Sequence, residues 1–106
     1  MRLLAIDPGN EQSAFVVLEG ETIIHKGILP NQEVISLIHR AVWPNQYAAD
    51  HLAIEMIASY GMAVGVTVFE TCVWIGRFIQ AFEQGGHTKV YRKDVKINLC
   101  GSMKAK

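Results

Sequence analysis

The sequence contains few cysteines, no long apolar run and no net charge. Only two of its 106 residues are cysteines, Cys72 and Cys100, and no Cys-x-x-Cys pair or zinc-finger spacing of histidine accompanies them. This pattern predicts reduced, buried thiols in a cytoplasmic protein. The longest apolar stretch, residues 56–69, is short and interrupted by glycine and polar residues, which argues against a membrane span. No basic segment followed by an apolar one opens the chain, so no secretory signal is expected.

The composition that remains predicts one packed domain over residues 1–106, because half of the residues are hydrophobic and 19% are charged. The charge is unevenly distributed. Residues 1–86 carry four basic and nine acidic residues, whereas residues 87–106 carry six basic residues and one acidic residue. An acidic body with a basic tail suits a polyanionic ligand whose phosphates contact the tail. A solvated, lysine-rich terminus would show the same asymmetry, so charge alone leaves both interpretations open.

The first thirty residues predict three consecutive antiparallel strands. Residues 3–6 form an apolar run that ends at the turn sequence Asp7-Pro8-Gly9-Asn10. Residues 13–18 are rich in β-branched and aromatic residues, and residues 22–28 follow a tight turn at Glu19-Gly20-Glu21. Short turns between such strands indicate a meander.

Two helices and two more strands are expected after the meander. Asn31 is the expected N-cap of the first helix and Pro44 its stop, with an apolar face of Val34, Ile35, Leu37, Ile38, Ala41 and Val42. Residues 51–56 predict a strand in the sheet interior, parallel to its predecessor because a crossover helix precedes it. A second helix is predicted over about residues 68–84, with a Thr67/Glu70 capping box and a stop at Gly85-Gly86. Its expected buried stripe is Phe69, Cys72, Val73, Gly76, Ile79 and Phe82.

A last strand over residues 88–91 completes the order β-β-β-α-β-α-β, which predicts an α/β fold with a mixed sheet. Asp7 and Glu55 each lie near the carboxyl end of an otherwise apolar strand in this order. If the first and fourth strands are parallel neighbours, both carboxylates project at one sheet edge. Paired carboxylates without a local cation suit Mg²⁺, which can activate water for phosphodiester hydrolysis. The alternative is a turn aspartate together with a glutamate that pairs with the basic tail.

Three segments of the chain share their order with one known family. The first is Leu4-Ala5-Ile6-Asp7-Pro8-Gly9-Asn10, and the second is Ala53-Ile54-Glu55, followed by a long helix with Gly76-Arg77. The third comprises Val95-Lys96 and Gly101-Ser102-Met103-Lys104. Together they resemble the two acidic motifs, the central helix and the basic segment of the RuvC-type Holliday junction resolvases. These enzymes belong to the ribonuclease H-like superfamily, and this chain resembles the phage and prophage versions more than the cellular repair enzyme in length and style.

The resemblance implies a structure-selective endonuclease that nicks branched DNA as a homodimer with Mg²⁺ or Mn²⁺. By the same resemblance, Asp7 and Glu55 are the catalytic metal ligands, and Lys104 is the catalytic basic residue near the scissile phosphate. Tyr60 is a candidate for stacking on an unpaired base, although a loop aromatic that covers the core edge is the alternative. The residues expected to contact phosphates are Arg92, Lys93, Lys96, Lys104 and Lys106.

The sequence departs from the family pattern at its end. The family completes its metal site with acids on a final helix that follows the basic segment, whereas this chain ends at Lys106 and its tail holds only Asp94. The resemblance therefore implies a truncated domain that lacks the final helix, binds its metal weakly and has low activity. The missing helix would leave one sheet face uncovered, which predicts a homodimer.

Two other functions stay open. The first is a non-catalytic module of the same fold that binds branched nucleic acid or serves in dimerisation. The second is an ATP-binding fragment similar to the actin and Hsp70 superfamily, in which Asn10 and the turn amides would contact phosphates. Proteins of that superfamily need two such domains, and 106 residues supply one.

Overall fold

A computed structural model describes residues 1–57 and 65–91. Its strands and helices follow the predicted order β-β-β-α-β-α-β, and the fourth strand matches the predicted residues 51–56. The elements are β1 (Arg2–Asp7), β2 (Gln12–Glu19), β3 (Thr22–Pro30), α1 (Asn31–His39), β4 (His51–Met56), α2 (Val66–Ala81) and β5 (Gly86–Tyr91).

The strands form one mixed sheet in the order β3-β2-β1-β4-β5. The meander is antiparallel, and β4 pairs in parallel with β1 on one side and β5 on the other. Gly20 in the β2–β3 turn has φ +63°, a left-handed conformation that glycine adopts at no steric cost. The expected α/β class is confirmed, and β1 and β4 are the parallel neighbours that the hypothesis of an acidic edge required.

Both helices pack on one face of this sheet and build the core there. Alternate residues of β1, β2 and β4 point toward them, because side chains along a strand alternate between its two faces. Full burial of each large aliphatic or aromatic side chain contributes about 1.5–3 kcal/mol. The main contributors are Leu4, Ile6, Phe15, Val17, Val34, Leu37, Ile38, Leu52, Ile54, Ile75 and Phe78. Among the described residues, no helix covers the opposite face.

The ends of α1 differ from the prediction. Asn31 is not the N-cap, since Pro30 occupies that position and no side chain caps the helix. The helix ends at His39, before Pro44. The Gln84 side-chain amide donates to the Ile38 carbonyl in the last turn of the helix at 3.3 Å, and to the Ala41 carbonyl just beyond the helix at 2.7 Å.

The buried face of α2 also differs from the prediction. Thr71, Ile75 and Phe78 face the core, whereas Phe69, Cys72 and Val73 are exposed. The Thr67/Glu70 capping box is absent: Gly65 is the N-cap and no side chain caps this end either. The Thr71 hydroxyl tolerates burial because it donates to the Thr67 carbonyl one helical turn earlier, at 2.9 Å.

α2 also ends before Gly85-Gly86, the stop predicted from the sequence. The helix ends at Ala81, and β5 already begins at Gly86. Gly85 is needed for close packing, because a Cβ there would overlap the backbone carbonyl of Asp50. Within residues 1–57 and 65–91, no helix has the length and hydrophobicity to cross a membrane.

Candidate acidic site at the sheet edge

Asp7 and Glu55 end up side by side through the pairing of β1 with β4. In that parallel register Ile6 pairs with Ile54, and each acidic residue is the next residue of its strand. Both isoleucines are buried on the helix side, so strand alternation places both carboxylates on the opposite, open face. Neighbouring strands lie about 4.8 Å apart, which brings the two acids within reach of one ion.

Both acidic residues line one shallow cavity of about 230 Å³ on this open face. The rest of its lining is mostly small or apolar and includes Ala5, Ala14, Val16, Ala53 and Val90. Asp7 is exposed at the rim and Glu55 is partly buried. Among the described residues, the arrangement is a pair of carboxylate oxygen donors beside a mostly apolar lining.

The basic residue of β1, Arg2, lies at the opposite end of the strand from Asp7. Arg2 begins β1, and its guanidinium Nε lies 3.6 Å from the Glu19 carboxylate. Arg2 also donates through its backbone amide to Asp50 at 2.8 Å and through its side chain to the Gln46 carbonyl at 3.0 Å. These contacts hold the cation about the length of a strand away from Asp7, so Arg2 does not neutralise the acidic edge.

Sequence reasoning missed two polar residues that support this edge, Ser13 and Asn31. Both are buried, and both form hydrogen bonds to the turn that follows Asp7. The signal for Ser13 was its position in the strand: it alternates with Phe15 and Val17 on the face that points into the core, where a hydroxyl is unusual. Asn31 was hidden, because asparagine after proline at the start of a helix is typical of an N-cap.

The donor set suits a hard divalent cation. Mg²⁺ and Mn²⁺ prefer oxygen ligands, and Mg²⁺ in particular keeps several waters when protein carboxylates are few. In the described part of the chain, no group of three or more histidine, cysteine, aspartate or glutamate side chains is close enough to hold a metal. Among these described residues, Asp7 and Glu55 supply two carboxylate groups, and water or substrate oxygens can complete the shell of an ion between them.

The remaining predicted site residues lie outside the described residues. They are Tyr60, Arg92, Lys93, Lys96, Lys104 and Lys106, together with Asp94 as a substitute acid. Their roles in stacking, phosphate contact and catalysis stay predictions.

Of the comparisons with known proteins, the one with solved structures identifies the fold. No protein-family model matches the chain, and a search of curated proteins finds no match. RuvC of T. thermophilus in complex with a Holliday junction substrate superposes with a TM-score of 0.70 at 18% identity, over 96% of this chain and 73% of that one. A second Thermus thermophilus RuvC structure gives 0.68 at 22% identity, over 100% of this chain and 74% of that one. The similarity expected from the motifs is thus confirmed for the fold: this chain has the ribonuclease H-like fold of the RuvC Holliday junction resolvases.

Proposed function

We propose that this protein is a divalent-metal-dependent endonuclease that acts on branched DNA, with Asp7 and Glu55 as its metal ligands. The observation that carries the proposal is the position of both carboxylates at the carboxyl ends of adjacent parallel strands, on the open face of a RuvC-like sheet. The RuvC structure in complex with a Holliday junction supports branched DNA as the substrate class.

Each group at the edge has a task in this reaction. Asp7 and Glu55 would hold Mg²⁺ or Mn²⁺ through their carboxylate oxygens, and the exposed Asp7 side chain is accessible to a substrate. Such an ion would supply an activated water and would neutralise charge on the phosphate. Ala5 and Ala53 line the cavity between the strands with small side chains, which suits the approach of a DNA backbone to the two carboxylates.

A nicking assay on a labelled four-way DNA junction tests the activity. We expect cleavage in Mn²⁺ or Mg²⁺, none in EDTA, and none of a linear duplex of the same sequence. Asp7→Asn and Glu55→Gln should each lower the rate by about a hundredfold, since each removes one charged ligand while keeping side-chain size. Glu33→Gln, an exposed acid on α1, is the matched control and should cleave as the unaltered protein does. Metal-dependent nicking that survives both acidic-edge substitutions would contradict the assignment.

A second candidate function is a non-catalytic module that recognises branched DNA. It is favoured by the small donor set, because two carboxylates without a third acidic or imidazole ligand among the described residues bind a metal weakly. A gel-shift titration in EDTA, with excess linear duplex as competitor, separates the candidates. Junction binding that resists the competitor without any nicking in Mn²⁺ supports the module, and absence of junction binding contradicts both.

We further propose that the protein acts as a homodimer through the outer face of α2. Val66, Phe69 and Val73 follow one another at helical spacing on that face and are 70%, 62% and 62% exposed. Gly76 is next on the stripe, and a Cβ there would meet nothing within 4 Å. An exposed apolar stripe beside an open glycine suits close packing against the same stripe of a second copy.

Sedimentation equilibrium tests the dimer. At tens of micromolar protein, we expect the unaltered chain to be mainly dimeric and Phe69→Asp to be monomeric. The matched control is Ile28→Asp, because Ile28 is equally exposed at 63% but lies on β3. A monomeric unaltered chain, or loss of the dimer in the Ile28 variant alone, would contradict the assignment.

A further inference from the structure

Two polar side chains occupy core positions without forming part of the acidic site. Ser13 points inward from β2, in line with Phe15 and Val17, and is 2% exposed. Asn31, the first residue of α1, is also 2% exposed. Burial of a hydroxyl or an amide is unfavourable unless hydrogen bonds replace those lost to water. The hydrogen-bond partners of Ser13 and Asn31 therefore indicate which part of the structure needs polar side chains at these two positions.

Their hydrogen bonds close a ring around Gly9. The Gly9 backbone N–H donates to Ser13 Oγ at 3.1 Å, Ser13 Oγ donates to Asn31 Oδ1 at 2.5 Å, and Asn31 Nδ2 donates to the Gly9 carbonyl at 2.9 Å. A serine hydroxyl has one hydrogen, so its donation to Asn31 turns a lone pair toward Gly9. Each bond thereby determines the orientation of the next, and both backbone polar groups of Gly9 are held by side chains.

Gly9 belongs to the turn that begins with Asp7. A Cβ at Gly9 would overlap the Gln12 backbone oxygen, so the turn is tight as well as tethered. Asp7 pairs with Ala14, the residue next to Ser13 in β2. The ring thus lies on the helix side of the sheet directly beneath the strand end that presents the Asp7 carboxylate on the other side.

The first helix supports the ring from below. The Asn31 backbone N–H donates to the Glu11 carbonyl at 2.9 Å, so this residue binds the turn through its main chain as well as its side chain. Its side chain is thereby diverted from capping its own helix, which has no side-chain cap. The helix itself is anchored in the core by Val34 and Ile38, both fully buried. The β1–β2 turn is therefore hydrogen-bonded to a helix that is itself packed into the core.

We infer that Ser13 and Asn31 are positioning residues, which hold the turn after β1 so that the Asp7 carboxylate stays aligned with Glu55 for one shared divalent ion. The inference rests on the proposed metal site at Asp7 and Glu55. Neither residue reaches the open face, so both act through Gly9 and the β1 end and not by contact with metal or DNA. Apolar side chains at both positions would fill the same core without imposing this direction on the turn.

Mn²⁺ affinity, measured by the loss of the free-ion electron paramagnetic resonance signal, tests the inference independently of cleavage. We expect Ser13→Ala to weaken Mn²⁺ binding about fivefold, as loss of one net hydrogen bond in the support would do. Ser13→Thr keeps the hydroxyl and should restore affinity to within twofold. Ser36→Ala is the matched control, because the Ser36 hydroxyl is exposed and its hydrogen bond goes to the Gln32 carbonyl of its own helix.

A double variant, Ser13→Ala with Asn31→Leu, keeps the inference testable if the single variant fails to fold. It replaces both buried partners by apolar groups, and partly exposed Gly9 can then bond to water. We expect it to melt cooperatively and to bind Mn²⁺ about fivefold more weakly. If either folded variant binds Mn²⁺ as the unaltered protein does while Asp7→Asn does not, the positioning role is refuted and the metal site stands. If Asp7→Asn also binds normally, the proposed site fails and the inference with it.

Discussion

The same methyl group added at two glycines should shift stability in opposite directions. At Gly9, an alanine Cβ would overlap the backbone oxygen of Gln12, and a carbonyl cannot rotate away as a side chain can. At Gly76, in the middle of α2, nothing lies within 4 Å of the added carbon. Gly9→Ala and Gly76→Ala therefore form a matched pair that compares a closed position with an open one.

The magnitudes follow from these two environments. Forcing the β1–β2 turn to move should cost about 1–3 kcal/mol, the usual penalty for overpacking. The exposed helical position should gain up to about 1 kcal/mol, because alanine loses less backbone entropy than glycine on forming a helix. The two variants should then differ by about 1–4 kcal/mol, and each kcal/mol corresponds to roughly 4–8 °C in melting temperature for a small domain.

Urea and thermal unfolding followed by circular dichroism measure this difference at low micromolar protein, where association contributes least. Comparable urea m-values in all three proteins would show that the comparison concerns the same unfolding transition. A Gly9→Ala variant as stable as the unaltered protein would refute the tight turn on which the support of Asp7 depends. A destabilised Gly76→Ala variant would refute the open position on α2.

Three further predictions concern α2 and the exposed loop before β4. Phe78→Ala should lower the free energy of unfolding by about 3–5 kcal/mol, and Phe69→Ala should lower it by less than about 1 kcal/mol, because Phe78 is fully buried and Phe69 is exposed. Equal losses for the two variants in urea unfolding would contradict the orientation of α2. In a Cys100→Ser background, exposed Cys72 should react with a thiol reagent in the native protein, and reaction only in denaturant would show that it is covered. In a Trp74→Phe variant, Trp43 fluorescence should be quenched by iodide nearly as in a free indole, since this side chain is 81% exposed; protection would place the loop elsewhere.

The strands were the part of the fold most accessible from sequence. Residues 51–56 follow a turn region and are apolar except at His51 and Glu55, so local pattern alone located β4 correctly. The turn chemistry of Asp7-Pro8-Gly9-Asn10 likewise predicted the end of β1 to within one residue, because the strand continues to Asp7. Both acidic residues of the candidate site were found in this way, because a charge at the end of an apolar strand is a local feature.

The orientation of α2 could not be found in the same way. Nearly every position of this helix is apolar or small, so several faces satisfy the helical period about equally well. The selection of Thr71 and Ile75 over Phe69 and Val73 came from packing against α1 and β4. The ring formed by Gly9, Ser13 and Asn31 escaped sequence analysis for a related reason, since its members come from three separate elements.

Local sequence determined the order of the strands and helices, the turn after β1 and the two acidic residues at strand ends, because backbone propensity and hydrophobic alternation act over a few neighbouring residues. Tertiary structure decided that β1 and β4 are neighbours, that Asp7 and Glu55 share one face, and that the stripe of α2 at Val66, Phe69 and Val73 is turned outward. These features depend on which distant surfaces exclude water together, and that choice is made only when the whole core packs.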